Sequence, residues 1–169
     1  MICDDEKCEL EREQRIISGY AMEHPDLSLS VRCFSNPFDM MDEMNRSGMP
    51  DIALLDICMP SIIGTEIARE IRNKSEKDAT DIVFLTTSSE FAVEAFALHA
   101  NDYLKKPYTE RRLTDMLDRI IEKRRRCRYV LFHAETRSIG STFIPLHIWK
   151  LGTTISRSVS NRAAALKRE

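Results

Sequence analysis

Asp51-Ile-Ala-Leu-Leu-Asp56-Ile-Cys-Met-Pro60 carries an apolar run into a single carboxylate and then into a turn. A strand buried on both faces of a parallel sheet reads as a near-continuous apolar run, so residues 52–55 fit an interior strand with Asp56 where it emerges. In open α/β sheets the ligand crevice lies outside the carboxyl ends of the strands. Other apolar segments also end in polar groups: Asp4-Asp5 after Met1-Ile-Cys3, Thr86 after Ile82-Val-Phe-Leu85, and Lys106-Pro107 after Tyr103-Leu104. Gathered at one sheet edge, these ends supply a carboxylate nucleophile, a seat for a hard cation and two donors for phosphoryl oxygens.

Taken singly, each element has a plainer explanation. A lone aspartate after an apolar run is more often a turn or helix cap, and adjacent acids suit a helix start. The four together and in order favour the chemistry. A carboxylate attacks a phosphoryl group only if the repulsion between the anions is offset, and Mg²⁺ offsets it through one or two carboxylates and retained waters. Asp5 and Asp56 meet that need, with Asp4 holding waters or joining them. Thr86 and Lys106 are the expected phosphoryl-oxygen partners. Lys105 is the nearer rival, but the spacing to Thr86 and the following Pro107 favour Lys106.

Strand and helix signals alternate along the chain, which predicts βαβ units and a parallel sheet. Strands are expected at residues 1–4, 27–34, 52–56, 82–85 and 102–104. Helices are expected at about 6–22, 37–46, 65–72, from an N-cap at Ser89 to His99, and from an N-cap at Thr109 to about Arg125. Pro37 suits a first helical turn, where its missing N–H costs nothing. Leu113, Met116, Leu117, Ile120 and Ile121 recur at helical spacing, so the last helix should dock one face on the sheet.

With 169 residues, 43% apolar and 31% charged, the chain has the composition of a globular protein with one domain and a remainder. No run approaches the roughly 20 apolar residues of a membrane span, and no basic region precedes an apolar signal core, which predicts a cytoplasmic location. The five cysteines form no CxxC pair, so neither a disulfide framework nor a zinc site is indicated. The net charge of −2 hides an asymmetry: residues 1–122 hold 14 Lys+Arg against 25 Asp+Glu, and residues 123–169 hold 11 against 2. An acidic body with a basic tail suggests nucleic-acid contact or self-attraction between the parts.

Cys3-Asp4-Asp5-Glu6, Leu54-Leu-Asp56-Ile-Cys-Met-Pro60 with Gly64, Leu85-Thr86 and Asp102-Tyr-Leu-Lys-Lys106-Pro107 together resemble the receiver domain of bacterial two-component response regulators. Phe91-Ala-Val-Glu-Ala-Phe96 followed by Asn101-Asp-Tyr-Leu is most similar to receivers that carry LytTR-type DNA-binding outputs. The resemblance covers residues 1–122 and implies a flavodoxin-like (βα)5 fold, a doubly wound parallel sheet in the order 2-1-3-4-5. It implies that Asp56 accepts a phosphoryl group from a sensor histidine kinase, with Mg²⁺ held by Asp4, Asp5, Asp56 and the Cys58 carbonyl. Thr86 and Tyr103 take the switch positions, and a homodimer forms through the fourth and fifth helices. For Tyr103, packing as an ordinary strand aromatic on the last helix is the equal alternative.

The chain departs from that pattern at both ends. Only Met1-Ile-Cys3 precedes the acid pair, and a start placed too late is the expectation. A central strand so short should weaken the domain and loosen Asp4 and Asp5. Residues 123–128 read as a basic linker. Tyr129-Val-Leu-Phe-His133, Ser141-Thr-Phe-Ile-Pro-Leu146 and Ile148-Trp-Lys-Leu151 resemble the opening of a LytTR module within an incomplete 129–169, which predicts only weak, salt-sensitive DNA contact. Two rivals stand beside the regulator: a degenerate receiver serving as an interaction module, and an aspartyl-phosphate phosphatase. The second expects an acid two residues after the nucleophile, where this chain has Cys58.

Overall fold

The computed structural model describes residues 1–60, 62–74 and 80–138, with side chains described as far as Arg126. One compact unit, Met1–Arg125, holds the whole sheet. Strands β1 (Ile2–Cys3), β2 (Cys33–Phe34), β3 (Ile52–Leu55), β4 (Asp81–Thr86) and β5 (Asp102–Lys105) are all parallel, in the order β2-β1-β3-β4-β5. Helices α1 (Lys7–Glu23), α2 (Pro37–Ser47), α3 (Gly64–Lys74), α4 (Ala92–Ala97) and α5 (Glu110–Ser138) alternate with them. This is the doubly wound flavodoxin-like order that the resemblance implies.

Alternation along the strands sorts the core into two layers. Leu54, Val83, Leu85 and Leu104 join Ile16, Ile17, Leu113, Met116, Leu117 and Ile120 beneath α1 and α5. Their neighbours Ala53, Leu55, Ile82 and Phe84 join Met40, Met44, Ile67 and Ile71 beneath α2 and α3. Burying each large aliphatic side chain contributes roughly 1.5–3 kcal/mol, so these two layers dominate the folding energy. Local chemistry sets the helix starts. Asn36 accepts from the Phe38 amide at 2.9 Å with Pro37 in the first position of α2, and Thr109 accepts from the Arg112 amide at 3.2 Å at the start of α5.

Three elements differ from the sequence expectations, each for a local reason. The strand expected over 27–34 narrows to Cys33–Phe34, because its one neighbour in the sheet is β1, which pairs only Ile2 with Cys33 and Cys3 with Phe34. Leu27, Leu29 and Val31 still pack against the core without a ladder. Ser89 does not cap α4: Ser88 accepts from the Glu90 amide at 3.1 Å, and the helix starts three residues past Ser89, at Ala92, with no side-chain cap. His99 lies beyond α4 with φ +52, exposed, its carbonyl held by Arg72 together with those of Leu98 and Thr80. The charge run 123–128 does not end the last helix, since α5 continues to Ser138 and takes in residues 129–133, which were expected as a strand. Lys and Arg are good helix formers and no glycine or proline interrupts before Gly140, so the helix has no stop signal there.

That basic turn is engaged by the acidic body. Arg124 bonds Asp81, which is 3% exposed, and also Asp51; Lys123 reaches Asp81 at 3.2 Å, and Arg125 pairs with Asp26. The strand-like segments at 141–146 and 148–151 lie outside the described residues.

Gly64 fixes the approach of α3 to the end of β3. Its amide donates to the Ile57 carbonyl at 3.0 Å, and a Cβ on it would lie 2.0 Å from the Asp56 carbonyl oxygen. The blocking atoms are backbone, so they cannot turn aside. Gly64→Ala is expected to destabilise the domain by about 1–3 kcal/mol, read from denaturant unfolding with an unchanged m-value.

Candidate functional site

The carboxyl ends of β1, β3, β4 and β5 bring Asp4, Asp5, Asp56, Thr86 and Lys106 to one edge of the sheet. Asp4, Asp56 and Lys106 are 1%, 4% and 7% exposed, and Thr86 is fully buried. The Lys106 ammonium lies between two carboxylates, donating to Asp56 Oδ2 at 2.9 Å and to Asp4 Oδ2 at 2.5 Å. Lys105, its rival in the sequence, is exposed, and Lys106 is the lysine that meets the two carboxylates.

Each acid is also held by local backbone. Asp4 Oδ1 accepts from the Glu6 amide at 2.9 Å, and Asp56 Oδ1 accepts from the Cys58 amide at 3.0 Å, so each closes an Asx-type turn at its strand end. Asp5 is half-buried, and each of Asp4, Asp5 and Asp56 offers an oxygen within 4.8 Å of the others. At an effective dielectric of about 20, two unit charges that far apart repel by about 3.5 kcal/mol. One ammonium answers three carboxylates, which leaves a negative seat made of hard oxygens. That donor set fits a small divalent cation.

Burial pushes the Asp4 carboxyl up, and the Lys106 hydrogen bond and charge act against that rise. Burial would lower the Lys106 amine, but hydrogen bonds and charge from Asp4 and Asp56 outweigh it, and the amine is raised above its ordinary value. Lys106 is thus a fixed cation. The buried Cys3 thiol is pushed up to about 12 by burial and by the neighbouring acids, so it stays neutral among them.

Thr86 Oγ1 accepts from the Ser88 amide at 3.3 Å and lies 3.5 Å from the exposed Cys58 sulfur. Tyr103 donates its hydroxyl to the Ser88 carbonyl at 2.8 Å, with its ring 6.2 Å from that of Phe84. It belongs to the α2–α3 layer and not to the packing on the last helix offered as an alternative. One residue, Ser88, therefore joins the two expected switch positions. No sequence pattern marks Ser88, because its bonds are to its own loop and to a residue fifteen positions away.

Glu13 was also missed. It sits on the buried face of α1, fully buried, with Oε1 accepting from the Tyr108 hydroxyl at 2.7 Å. The readable signal was an acid at helical spacing among Leu10, Ile16, Ile17 and Tyr20, a row otherwise apolar.

Known proteins are similar to this chain in sequence and fold. The chain is 36% identical over 107 residues to the transcriptional regulatory protein YpdB of Escherichia coli K12, covering 63% of this chain and 42% of YpdB. It is 34% identical over 124 residues to the transcriptional regulatory protein BtsR of Salmonella typhi, covering 73% and 48%. The sensory transduction protein LytT of Oceanobacillus iheyensis is 42% identical over 71 residues, 42% of this chain and 29% of LytT. The chain thus spans less than half the length of these curated relatives. Among solved structures, the response regulatory domain of mrkE from Klebsiella pneumoniae superposes with a TM-score of 0.63 at 30% identity, covering 72% of this chain and 93% of that one. A CheY-like receiver from Methanospirillum hungatei shares the fold with a TM-score of 0.62 at 20% identity, covering 74% and 94%. Residues 1–118 match the model of the response regulator receiver domain, and the chain belongs to that family.

Proposed function

We propose that the chain is a phosphoacceptor response regulator in which Asp56 takes a phosphoryl group from a sensor histidine kinase and switches a transcriptional output. The observation that carries this reading is the buried Asp4–Lys106–Asp56 bridge, with Asp5 beside it, at the carboxyl edge of the sheet. An Asp56 oxygen attacks phosphorus, the bond to the donor histidine nitrogen breaks, and the acyl phosphate forms. Lys106 releases Asp56 and pairs with a phosphoryl oxygen while keeping Asp4. Thr86 turns its hydroxyl from the Ser88 amide to donate to another phosphoryl oxygen.

Asp5 and Asp56, with Asp4 and the Cys58 carbonyl, would hold Mg²⁺. Bound there, the ion would supply positive charge that offsets the repulsion between the carboxylates and an incoming phosphoryl group. Release of Thr86 from Ser88 frees the peptide unit that holds the Tyr103 hydroxyl, and the fourth helix responds. Val93 and Phe96 on α4 are 82% and 85% exposed and offer apolar area for a homodimer through the fourth and fifth helices. No described helix is long and apolar enough to cross a membrane, in keeping with a regulator working in the cytoplasm. The output is DNA binding of the LytTR type, to which residues 129–169 contribute weakly. The pairing of Lys123, Arg124 and Arg125 with Asp81, Asp51 and Asp26 leaves fewer basic groups for DNA.

Incubation with acetyl phosphate and Mg²⁺ should add one phosphoryl mass, located on Asp56 by mass spectrometry, and Asp56→Asn should stay unlabelled. A label that survives the substitution sinks the assignment.

Asp5→Ala should weaken Mg²⁺ binding by about tenfold or more, about 1.4 kcal/mol, since it removes one of few hard ligands. Titration with undiminished affinity would exclude Asp5.

Lys106→Met should leave two buried acids uncompensated and cost about 3–5 kcal/mol without divalent ions. Thermal unfolding with and without Mg²⁺ tests this: the ion should recover more stability in the variant than in the native chain. Equal recovery would show that the ammonium and the cation do not share the carboxylates.

A further inference from the structure

Glu13 is a buried ionisable group that phosphoryl transfer, as described, leaves unused. It is 0% exposed, and Oε2 has no hydrogen-bond partner. Oε1 is bound by the Tyr108 hydroxyl at 2.7 Å. Tyr108 stands two residues beyond Lys106, in the turn between β5 and α5. Arg12 encloses Tyr108 from the other side, its guanidinium 4.7 Å from the ring centroid and bonded to the Tyr108 carbonyl. Side chains of α1 thus grip the turn that presents Lys106 to Asp4 and Asp56 at both the hydroxyl and the carbonyl of one tyrosine.

We propose that Glu13 is a positioning residue for the Asp56 phosphoryl site, acting through Tyr108 on the turn that carries Lys106, and that it does so as the neutral acid. The inference rests on the phosphoacceptor reading above. An ionised Glu13 would leave one charged oxygen unpaired and dry, a state more costly than an unpaired neutral oxygen. The groups that face it are Asp4 and Lys106 at the site, Tyr108 in the turn, Cys33 on β2 and Glu9 on its own helix, with Arg12 over the Tyr108 ring; on α5, Asp118 is taken up by the Tyr20 hydroxyl. Relief for the charge would come from turning Arg12 or Lys106 toward it, which takes the first from the Tyr108 carbonyl or the second from the carboxylates. Either movement loosens the phosphoryl site.

Burial raises the Glu13 carboxyl from the ordinary 4.5 to about 7, against the pull of the Tyr108 hydrogen bond. The folded chain therefore keeps a proton that the unfolded chain has lost between those values. The stability this gives is complete below pH 4.5 and is lost as pH rises through 7. If only the neutral acid positions Tyr108, the competent fraction falls about tenfold between pH 6 and pH 8 for a group titrating at about 7.

The test measures Asp56 labelling by acetyl phosphate with Mg²⁺ for the full chain, Glu13→Gln, Tyr108→Phe and the double variant, from pH 6 to 8, beside thermal unfolding of each. The rate of Glu13→Gln relative to the native chain should rise about tenfold over that range, and its melting temperature should gain on the native one as pH increases. In the Tyr108→Phe background, adding Glu13→Gln should have no pH-dependent effect on rate, because the link is already cut. A rate ratio that is flat with pH, with Asp56 still labelled, overturns the positioning role and leaves the phosphoacceptor reading intact. Absence of labelling in the native chain overturns both. If Glu13→Gln does not fold, the ratio of Tyr108→Phe to the native chain decides: a change across pH 7 supports the proposal and a constant ratio removes it.

Discussion

The Lys106 ammonium, buried between Asp4 and Asp56, is the contact on which the carboxyl edge of the sheet depends. It runs from the end of β5, past the end of β4, to the ends of β3 and β1, so it joins strands that are not all neighbours in the sheet. A buried ion pair of this kind adds little net stability over an apolar substitute, because desolvation consumes most of the Coulomb gain. Its value lies in geometry. It keeps two carboxylates close enough to share a cation and fixes one positive charge between them. The two apolar layers fold the domain, and the bridge determines what the finished edge can do.

Much of this edge was legible because the chemistry of strand ends is written in short, ordered stretches. An apolar run followed by Asp56, and another followed by Thr86, need no tertiary information to be placed at the carboxyl edge of a parallel sheet. What was not legible depended on partners. Residues 27–32 have the alternation of a strand, but a strand exists only where a neighbour pairs with it, and β1 offers two residues. Ser89 is a good cap by type, yet Ser88 takes the loop bond and α4 begins later. The basic turn read as the end of a helix is continuous helix, drawn in by acids far away in sequence such as Asp51 and Asp81. Glu13 was visible as an acid on an apolar face, but only the fold reveals its tyrosine.

The fourth helix is the weak member of the architecture. It spans Ala92–Ala97, has no side-chain cap, and buries Ala95 alone. Short helices of this kind have little intrinsic stability and follow their anchors. Those anchors are Arg72, which ties the carbonyls of Leu98 and His99 to α3, and the Arg69–Glu94 ion pair at 2.8 Å. At its other end the Ser88 peptide holds Tyr103. A small rearrangement of Thr86 thus meets an element that is cheap to move, whereas the same rearrangement beneath α5 would have to disturb a full core layer.

Gly64 bears on how other chains can be read. Because its missing Cβ admits the Asp56 carbonyl, the path of the backbone after the acid is determined as much by an empty volume as by any carboxylate. A chain with the same acids but a side chain at this position must route its loop elsewhere, and its aspartate then points along a different line. Matching acids alone would miss that difference. The absent atom is as much a part of what places an acid at the end of a strand as the acid's own partners are.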